Sequence, residues 1–593
     1  MHSMSLFVEL LRTRPRMLFW TMALLQVVLW TLVPALFYSA PPGQLPLVLA
    51  IGHEFQVGTE FGPPLAFWLA EIAYRMAGMT GVYLLSQICI VATFCIVLAL
   101  GRAIVGTAHA VMAVMLMAGI AVFSIPTPEF GPAIVATPLW ALMLLHYWMA
   151  AQRGAWRYWV ALGLEAGLLL LTTYAGLILI GLLVIHMMST ASGRAQIADV
   201  GPWIAGVAMT AVLFPYLIWL DLSAGISLLD LATIVDNLRN WGWLVVALLL
   251  SHAGMVILIA LGRGILVASS GTPPDLIRAP VQPAARRFVY FFALAPVMAM
   301  GLFALFTRSP ENFLAPPLVV MSGLAVIVAA GERIKIEHQY VIGYVWFALI
   351  VLPPSLVALA IVFQPWIVAA DLRIGRPADE MGQFFGDSFA RRTGRPLTVV
   401  AGDQTLASLV ALGAPSRPSL YFDAAPVDRN PVTKQDIADK GAVIVWPATD
   451  SAGRPPPEIA RQFPDLAVEV PRAFARQFQG RMPLMRVGWG MIRPRAHASA
   501  SDTPAALPPR QLQPAPQPAL QTQPALQTQP PPPRQAVPTP PRPVPQLVEP
   551  SQAEPQQAEL QRAEPQQPEL QLIAPEPARP RRRPAFQNMH RPQ

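Results

Sequence analysis

Charge is what this sequence has least of. Asp, Glu, Lys and Arg make up 13% of the 593 residues, where a soluble globular domain carries about a quarter. Most of that charge lies after position 370, which leaves the first two-thirds nearly uncharged and points to a bilayer as solvent. Cysteine is almost missing. Cys89 and Cys95 lie six residues apart in one apolar stretch, which excludes a disulfide framework and any CxxC or zinc spacing. The net charge of +8 is not gathered on one folded face, because the arginines are scattered between apolar runs or sit in the tail. This excludes the usual signature of nucleic-acid binding. A cleavable signal peptide is not expected either: Arg12, Arg14 and Arg16 precede an apolar run at 17–38 that is too long for an h-region and has no small-x-small site behind it.

What is present is apolar sequence in membrane-length pieces. A helix needs about 20 apolar residues to cross the hydrocarbon layer. On that criterion spans are expected near 17–38, 80–100, 108–125, 132–150, 156–172, 174–190, 202–220, 241–262, 288–306, 314–330 and 340–363, about eleven in all. The stretch 156–190 is split at Thr172, Thr173 and Tyr174, since one helix of that length would overshoot the bilayer. With the N-terminus inside, the cytoplasmic side receives Arg12, Arg14, Arg16, Arg102, Arg153, Arg157 and the basic residues near 194, 263–287 and 333–335. The opposite loops receive only Arg75, Arg239 and Arg308. That asymmetry satisfies the positive-inside rule. It implies a multi-pass protein of the inner-membrane type, with a cytoplasmic N-terminus and everything after Gln364 outside the cytoplasm.

The fold class expected is therefore an α-helical polytopic membrane domain over 1–365, followed by a small α/β domain at 366–495. Runs at 397–401, 419–423 and 442–446 alternate with a helical pattern at 404–412. From 496 to 593 the chain turns to Pro, Gln and Ala in imperfect repeats such as PALQTQPALQTQP. Such a composition has too little apolar surface to offset ordering entropy, and it reads as a disordered spacer or envelope tether with polyproline II character.

Two loops carry the chemistry. The segment at 40–78 is too apolar for an ordinary loop and too broken by Pro and Gly to span. It reads as two interfacial helices, at 45–56 and 64–76, with His53, Glu54 and Glu60 between them and Glu71 and Arg75 on the second. A further carboxylate, Glu129, lies in SIPTPEFGP at the junction of the third and fourth spans. The two loops are placed to meet over one cavity. Ionisable groups near membrane depth are costly and therefore candidates for function, although residues placed like Glu60 and Glu71 are more often solvated interfacial groups than catalysts. Glu165, alone inside a span, is expected to pair with another helix. No ligand spacing argues for a metal; a divalent ion held by Glu54 and Glu129 is the one arrangement left open.

An apolar first span, an amphipathic loop ending in Pro63-Pro64-Leu65-Ala66-Phe67-Trp68, Thr127-Pro128-Glu129 before the fourth span, and a terminal outer domain together resemble the GT-C glycosyltransferases. The types they resemble are the protein O-mannosyltransferase and aminoarabinose-transferase-like families of bacterial inner membranes. The resemblance covers about residues 10–365. It implies a polyprenyl-phosphate sugar donor, an envelope lipid, glycan or protein acceptor, and a first-loop carboxylate that activates the acceptor. The family's leading aspartate falls on Gln44, and its His before Pro-Pro falls on Gly62. An amide takes no proton at neutral pH, so either Glu54 or Glu60 has taken over the role or the activity is weak or altered. Glu129 matches the family's second-loop acid. Arg75 and Arg308 are the cations expected to hold phosphate, arginine being suited to its oxygens, and either also reads as an interfacial anchor. Two other classes stand beside this one. A noncatalytic envelope scaffold would explain Gln44, whereas a secondary transporter should show interrupted helices in two related halves, which this sequence lacks.

Overall fold

The computed structural model describes residues 6–222, 234–262, 276–307, 315–336, 339–368, 370–422, 432–448 and 452–495. Arg308 and the Pro-rich tail lie outside the described residues. Among those described, seven helices are long and apolar enough to cross a bilayer, or eight if a bent pair at 176–197 counts as one. The chain is a polytopic helical membrane protein with a small C-terminal α/β region.

Helix α1 (Leu6–Thr13) leads into α2 (Pro15–Phe37), whose 23 residues begin with Pro15 in the first turn, where its missing N–H costs no hydrogen bond. At 1.5 Å per residue α2 is roughly 35 Å long, enough to span. The loop helix α3 (Leu45–His53) is followed by α4 (Leu65–Val105). The 41 residues of α4 are two helices joined at a kink, where Ala77 leaves helical geometry and Gly78 takes φ +60°, a conformation open to glycine. The kink separates the 64–76 segment from the expected span at 80–100.

Next come α5 (Thr107–Ala118), α6 (Pro132–Arg153), α7 (Trp156–Leu170), α8 (Gly176–Ser189), α9 (Ala191–Ile197) and α10 (Gly201–Leu222). The break between α7 and α8 falls at the Thr172–Tyr174 segment, as expected from length. Gly163 and Gly167 of α7 lie against the backbone of Ala205 and the side chain of Val212, so α10 packs directly on a small-residue face. Then follow α11 (Ile234–Ser251), α12 (Ala253–Leu261), α13 (Pro283–Phe306), α14 (Ala315–Leu318), α15 (Ser322–Ala329) and α16 (Gln339–Ile367). The stretch expected near 156–172 is the 15-residue α7, and those near 108–125 and 314–330 are also helical but shorter than a span. The last two give α5, which is buried almost throughout, and the broken pair α14 and α15.

The C-terminal region holds α17 (Ala378–Thr393), β3 (Val399–Gly402), α18 (Gln404–Gly413), β4 (Ser419–Leu420), α19 (Lys434–Lys440), β5 (Ala442–Pro447), α20 (Pro457–Gln462), β6 (Ala467–Phe474) and β7 (Met485–Ile492); β1 (Leu276–Ile277) and β2 (Arg333–Ile334) pair separately. The five-stranded sheet runs β4-β3-β5-β7-β6, parallel at β4-β3-β5 and antiparallel at β5-β7-β6. The central strand β5 is buried from Ala442 to Trp446, which fits its unbroken apolar run. The antiparallel β6 and β7 were not foreseen; the mixed polarity of PRAFARQFQGRMPLMR hides their alternation.

One expectation changes in physical meaning. Helix α3 does not lie on a lipid surface, since every residue from Leu45 to Gly52 is buried. It is packed between α4 and α18. Its apolar character comes from protein on both sides, and the apolar α18 is the complementary surface.

Candidate active site

The two loops meet at the N-terminal end of α3. The backbone N–H of Gln44 donates to Glu129 Oε1 at 2.9 Å. The preceding Gly43 has φ +55°, and a Cβ there would fall onto the Glu129 carboxylate. Only glycine therefore lets the carboxylate reach the backbone. Glu129 is half-buried, and its second oxygen takes no hydrogen bond from the described residues. The Gln44 side chain is exposed.

Buried polar groups of the flanking spans hold the Glu129 loop in place. Gln26 of α2 donates to Gln87 Oε1 (3.2 Å) and to the Phe123 carbonyl (3.0 Å), while Gln87 of α4 donates to Thr127 Oγ1 (3.0 Å). Trp30 donates to Ser124 Oγ at 3.1 Å, and the Ser86 hydroxyl bonds the Thr127 carbonyl. Unpaired polar groups are expensive in an apolar interior. A cluster with its partners satisfied across three segments thus fixes the loop next to Glu129. Sequence reading passed over Gln26, Ser86 and Gln87, although a glutamine inside an apolar span is a usable signal.

A second cluster forms at the opposite end of α3, about nine residues and so roughly 14 Å away along the helix. Glu71, only 2% exposed, pairs with His53 Nδ1 (3.1 Å) and accepts from Arg75 Nε (2.9 Å) on one oxygen. Its other oxygen accepts from Arg417 Nη2 at 3.0 Å. Arg417 also donates to the Leu49 carbonyl (3.3 Å) and lies over the Tyr74 ring at 4.5 Å. Glu54 accepts from Ser419 Oγ at 2.5 Å. Phe61 meets Phe422 edge-on at 4.8 Å, and Arg75 covers Phe55 at 4.8 Å. The two non-glycine residues with positive φ among those described, Phe55 (48°) and Arg417 (47°), sit on either side of this contact.

The sequence-derived candidates thus divide. Gln44 and Glu129 come together; His53, Glu54 and Arg75 join a separate cluster that docks the C-terminal region; Glu60 is exposed beside the Thr59–Gly62 bridge; Arg308 lies outside the described residues. Glu54 and Glu129, at opposite ends of α3, are too far apart to ligate one ion, since oxygen ligands sit about 2.3–2.6 Å from calcium. Among the described residues no group of three or more His, Cys, Asp or Glu is placed to hold a metal. Glu71, open to reading as a solvated interfacial group, is instead the buried centre of the second cluster. Arg417 and Ser419 carried no sequence signal, because nothing local marks a surface arginine whose partner is 346 positions away. Glu165 pairs with His146 of α6 at 2.5 Å.

Beside Gln44 a cleft opens between Pro41–Leu47 and the C-terminal region, where Arg373, Gln404 and Thr405 face it. Its C-terminal wall is anchored: Ser39 and Ala40 donate their N–H groups to the Ile374 carbonyl, both at 2.9 Å, and Ser39 Oγ donates to Gln477 at 2.8 Å. Close by, Asp371 accepts from Arg376 (2.8 Å) and Arg476 (2.9 Å). Partial burial pushes its carboxyl up, but the two guanidiniums outweigh this and hold it below the usual range.

Residues 62–219 match the family model described as dolichyl-phosphate-mannose-protein mannosyltransferase. No curated protein sequence matches the chain. Among solved structures, ArnT from Cupriavidus metallidurans bound to undecaprenyl phosphate is similar at 14% identity and a TM-score of 0.49, over 80% of this chain and 97% of that one. The oligosaccharyltransferase AglB from Archaeoglobus fulgidus, in complex with an inhibitory peptide and a dolichol-phosphate, is similar at 14% identity and a TM-score of 0.38, over 69% and 64%. The matched family segment begins at the Gly62-Pro63-Pro64 turn and takes in Glu71, Arg75 and Glu129. Over residues 62–219, about a quarter of its length, the chain is thus similar to the dolichyl-phosphate-mannose-protein mannosyltransferase family.

Proposed function

We propose that the chain transfers a sugar from a polyprenyl-phosphate donor to a hydroxyl of an envelope lipid, glycan or protein, on the periplasmic face of a bacterial inner membrane, with Glu129 as the base. The supporting observation is the Glu129 carboxylate itself: one oxygen is fixed by the Gln44 N–H across two loops, the other takes no hydrogen bond from the described residues, and the carboxylate lies against Gly43, which lines an open cleft. In this reading the acceptor hydroxyl gives its proton to the free oxygen of Glu129 as its own oxygen bonds to the anomeric carbon. The bond from that carbon to the phosphate oxygen breaks, and the phosphate leaves with the electron pair. Attack opposite the leaving group inverts the centre and needs no covalent enzyme intermediate. The basic loops 1–16 and 263–287 then face the cytoplasm.

The test is transfer from polyprenyl-phosphate sugars by the purified, detergent-solubilised chain. Glu129→Gln keeps size and hydrogen bonding but removes the base, and should lower turnover about a hundredfold or more while the protein stays folded. Parent-like turnover in that variant refutes the assignment. A scaffold without catalysis is the second reading. It is favoured by the exposed amide of Gln44 where an aspartate is expected and by the engagement of Glu54 with Ser419.

A further inference from the structure

We infer that the cleft beside Gln44 is the acceptor site, and that Arg373 selects an acceptor bearing an anionic group, phosphate or carboxylate, next to its reacting hydroxyl. The inference rests on Glu129 being the base. The cleft encloses only about 50 Å³ and opens to solvent, where the rest of a ligand would lie. Its polar wall comes from Gln44, Arg373, Gln404, Thr405 and Ser408, and among the described residues no acidic side chain lines it. Amides and hydroxyls of this kind suit the hydroxyls of a sugar better than a polyprenyl chain, which needs an apolar slot.

Charge bookkeeping around Arg373 singles it out. Arg376 and Arg476 are both committed to Asp371, whereas Arg373 is exposed and makes no ion pair or side-chain hydrogen bond among the described residues. Its position is nevertheless fixed, because the next residue, Ile374, accepts the two N–H bonds from Ser39 and Ala40. The Asp403 carboxylate is turned away to cap α18 through the Leu406 N–H at 2.9 Å. One uncommitted guanidinium thus faces the cleft at one side, and the Glu129 carboxylate lies behind Gly43 at the other. A ligand with its negative charge at Arg373 would present a hydroxyl toward Glu129. Two loops distant in sequence build the cleft, so it exists only with the C-terminal region docked on α3.

Binding tests this without requiring turnover. The full chain in nanodiscs is titrated with glucose 6-phosphate, glucose and inorganic phosphate, using ligand-observed NMR. The sugar phosphate should bind more tightly than either other probe. Arg373→Ala should weaken it about ten- to a hundredfold, the range for losing one hydrogen bond to a charged group. Thr405→Val should weaken it less, and neither variant should change the thermal unfolding midpoint. Equal affinity in Arg373→Ala, or inorganic phosphate binding as tightly as the sugar phosphate, overturns the assignment. Glu129→Gln should keep the binding while losing transfer. If the parent binds the sugar phosphate through Arg373 yet shows no transfer from any polyprenyl-phosphate sugar, the proposed reaction fails and the anionic-sugar site stands.

Discussion

Glu71 offers the sharpest test of how the C-terminal region is held. Its carboxylate is 2% exposed, with Arg417, 15% exposed, on one oxygen and Arg75 and His53 on the other. Glu71→Gln preserves shape but removes the charge, and turns an NH₂ toward at least one guanidinium. Breaking a buried ion pair from one side costs about 3–5 kcal/mol. Arg417 keeps the Leu49 carbonyl and the Tyr74 face, and it is not fully buried. The expected loss is therefore smaller, about 2–3 kcal/mol of docking free energy. At 1.36 kcal/mol per decade, that corresponds to roughly 30- to 150-fold faster hydrogen exchange in α3 and α18 if these amides exchange through undocking. The assay is exchange mass spectrometry on the solubilised chain, with Glu54→Gln as control. The control keeps an oxygen that accepts from Ser419 and should change exchange less than about fivefold, equivalent to about 1 kcal/mol. Unchanged exchange in Glu71→Gln would show that apolar packing of α3 on α18 carries the docking alone. An equal effect in both variants would show that the charge of Glu71 is not what matters.

Two further outcomes follow from geometry. Gly43→Ala places a methyl on the Glu129 carboxylate at a backbone with φ +55°; the left-handed conformation alone costs about 1–2 kcal/mol. Displacing the base should cut transfer at least tenfold with the protein still inserted, and full activity would refute the proposed role of the Gln44–Glu129 contact. Asp436 is held at about 2 by Lys440 first, then by the Thr433 hydroxyl and N–H of its capping box. A depressed carboxylate stabilises the fold above its ordinary value of 3.8, and that contribution is lost as pH falls through about 2. Thermal unfolding of the C-terminal region should therefore weaken between about pH 4 and pH 2, and less so in Asp436→Asn. The same slope in both proteins would refute this.

The sequence alone determined the elements whose cause is local. Apolar length set the spans, the Thr172–Tyr174 segment set the break between α7 and α8, and the Gly-Pro-rich first loop marked itself as neither span nor ordinary loop. The Thr-Pro-Glu at 127–129 and the strand–helix–strand alternation from 397 to 446 were readable for the same reason: periodicity and turn chemistry are properties of neighbouring residues. Only the tertiary structure decided which carboxylates share a place. His53, Glu54 and Glu129 looked alike as polar residues of two apolar loops. Yet α3 carries His53 and Glu54 roughly 14 Å from Glu129, and the C-terminal region supplies Arg417 and Ser419 to the far end. An apolar helix has the same composition whether lipid or protein covers it, so the burial of α3 under α18 could not be read from its residues. Contacts spanning more than 300 positions leave no periodic trace; they exist because folding brings the two surfaces together, and here they separate the docking charges from the carboxylate left free to react.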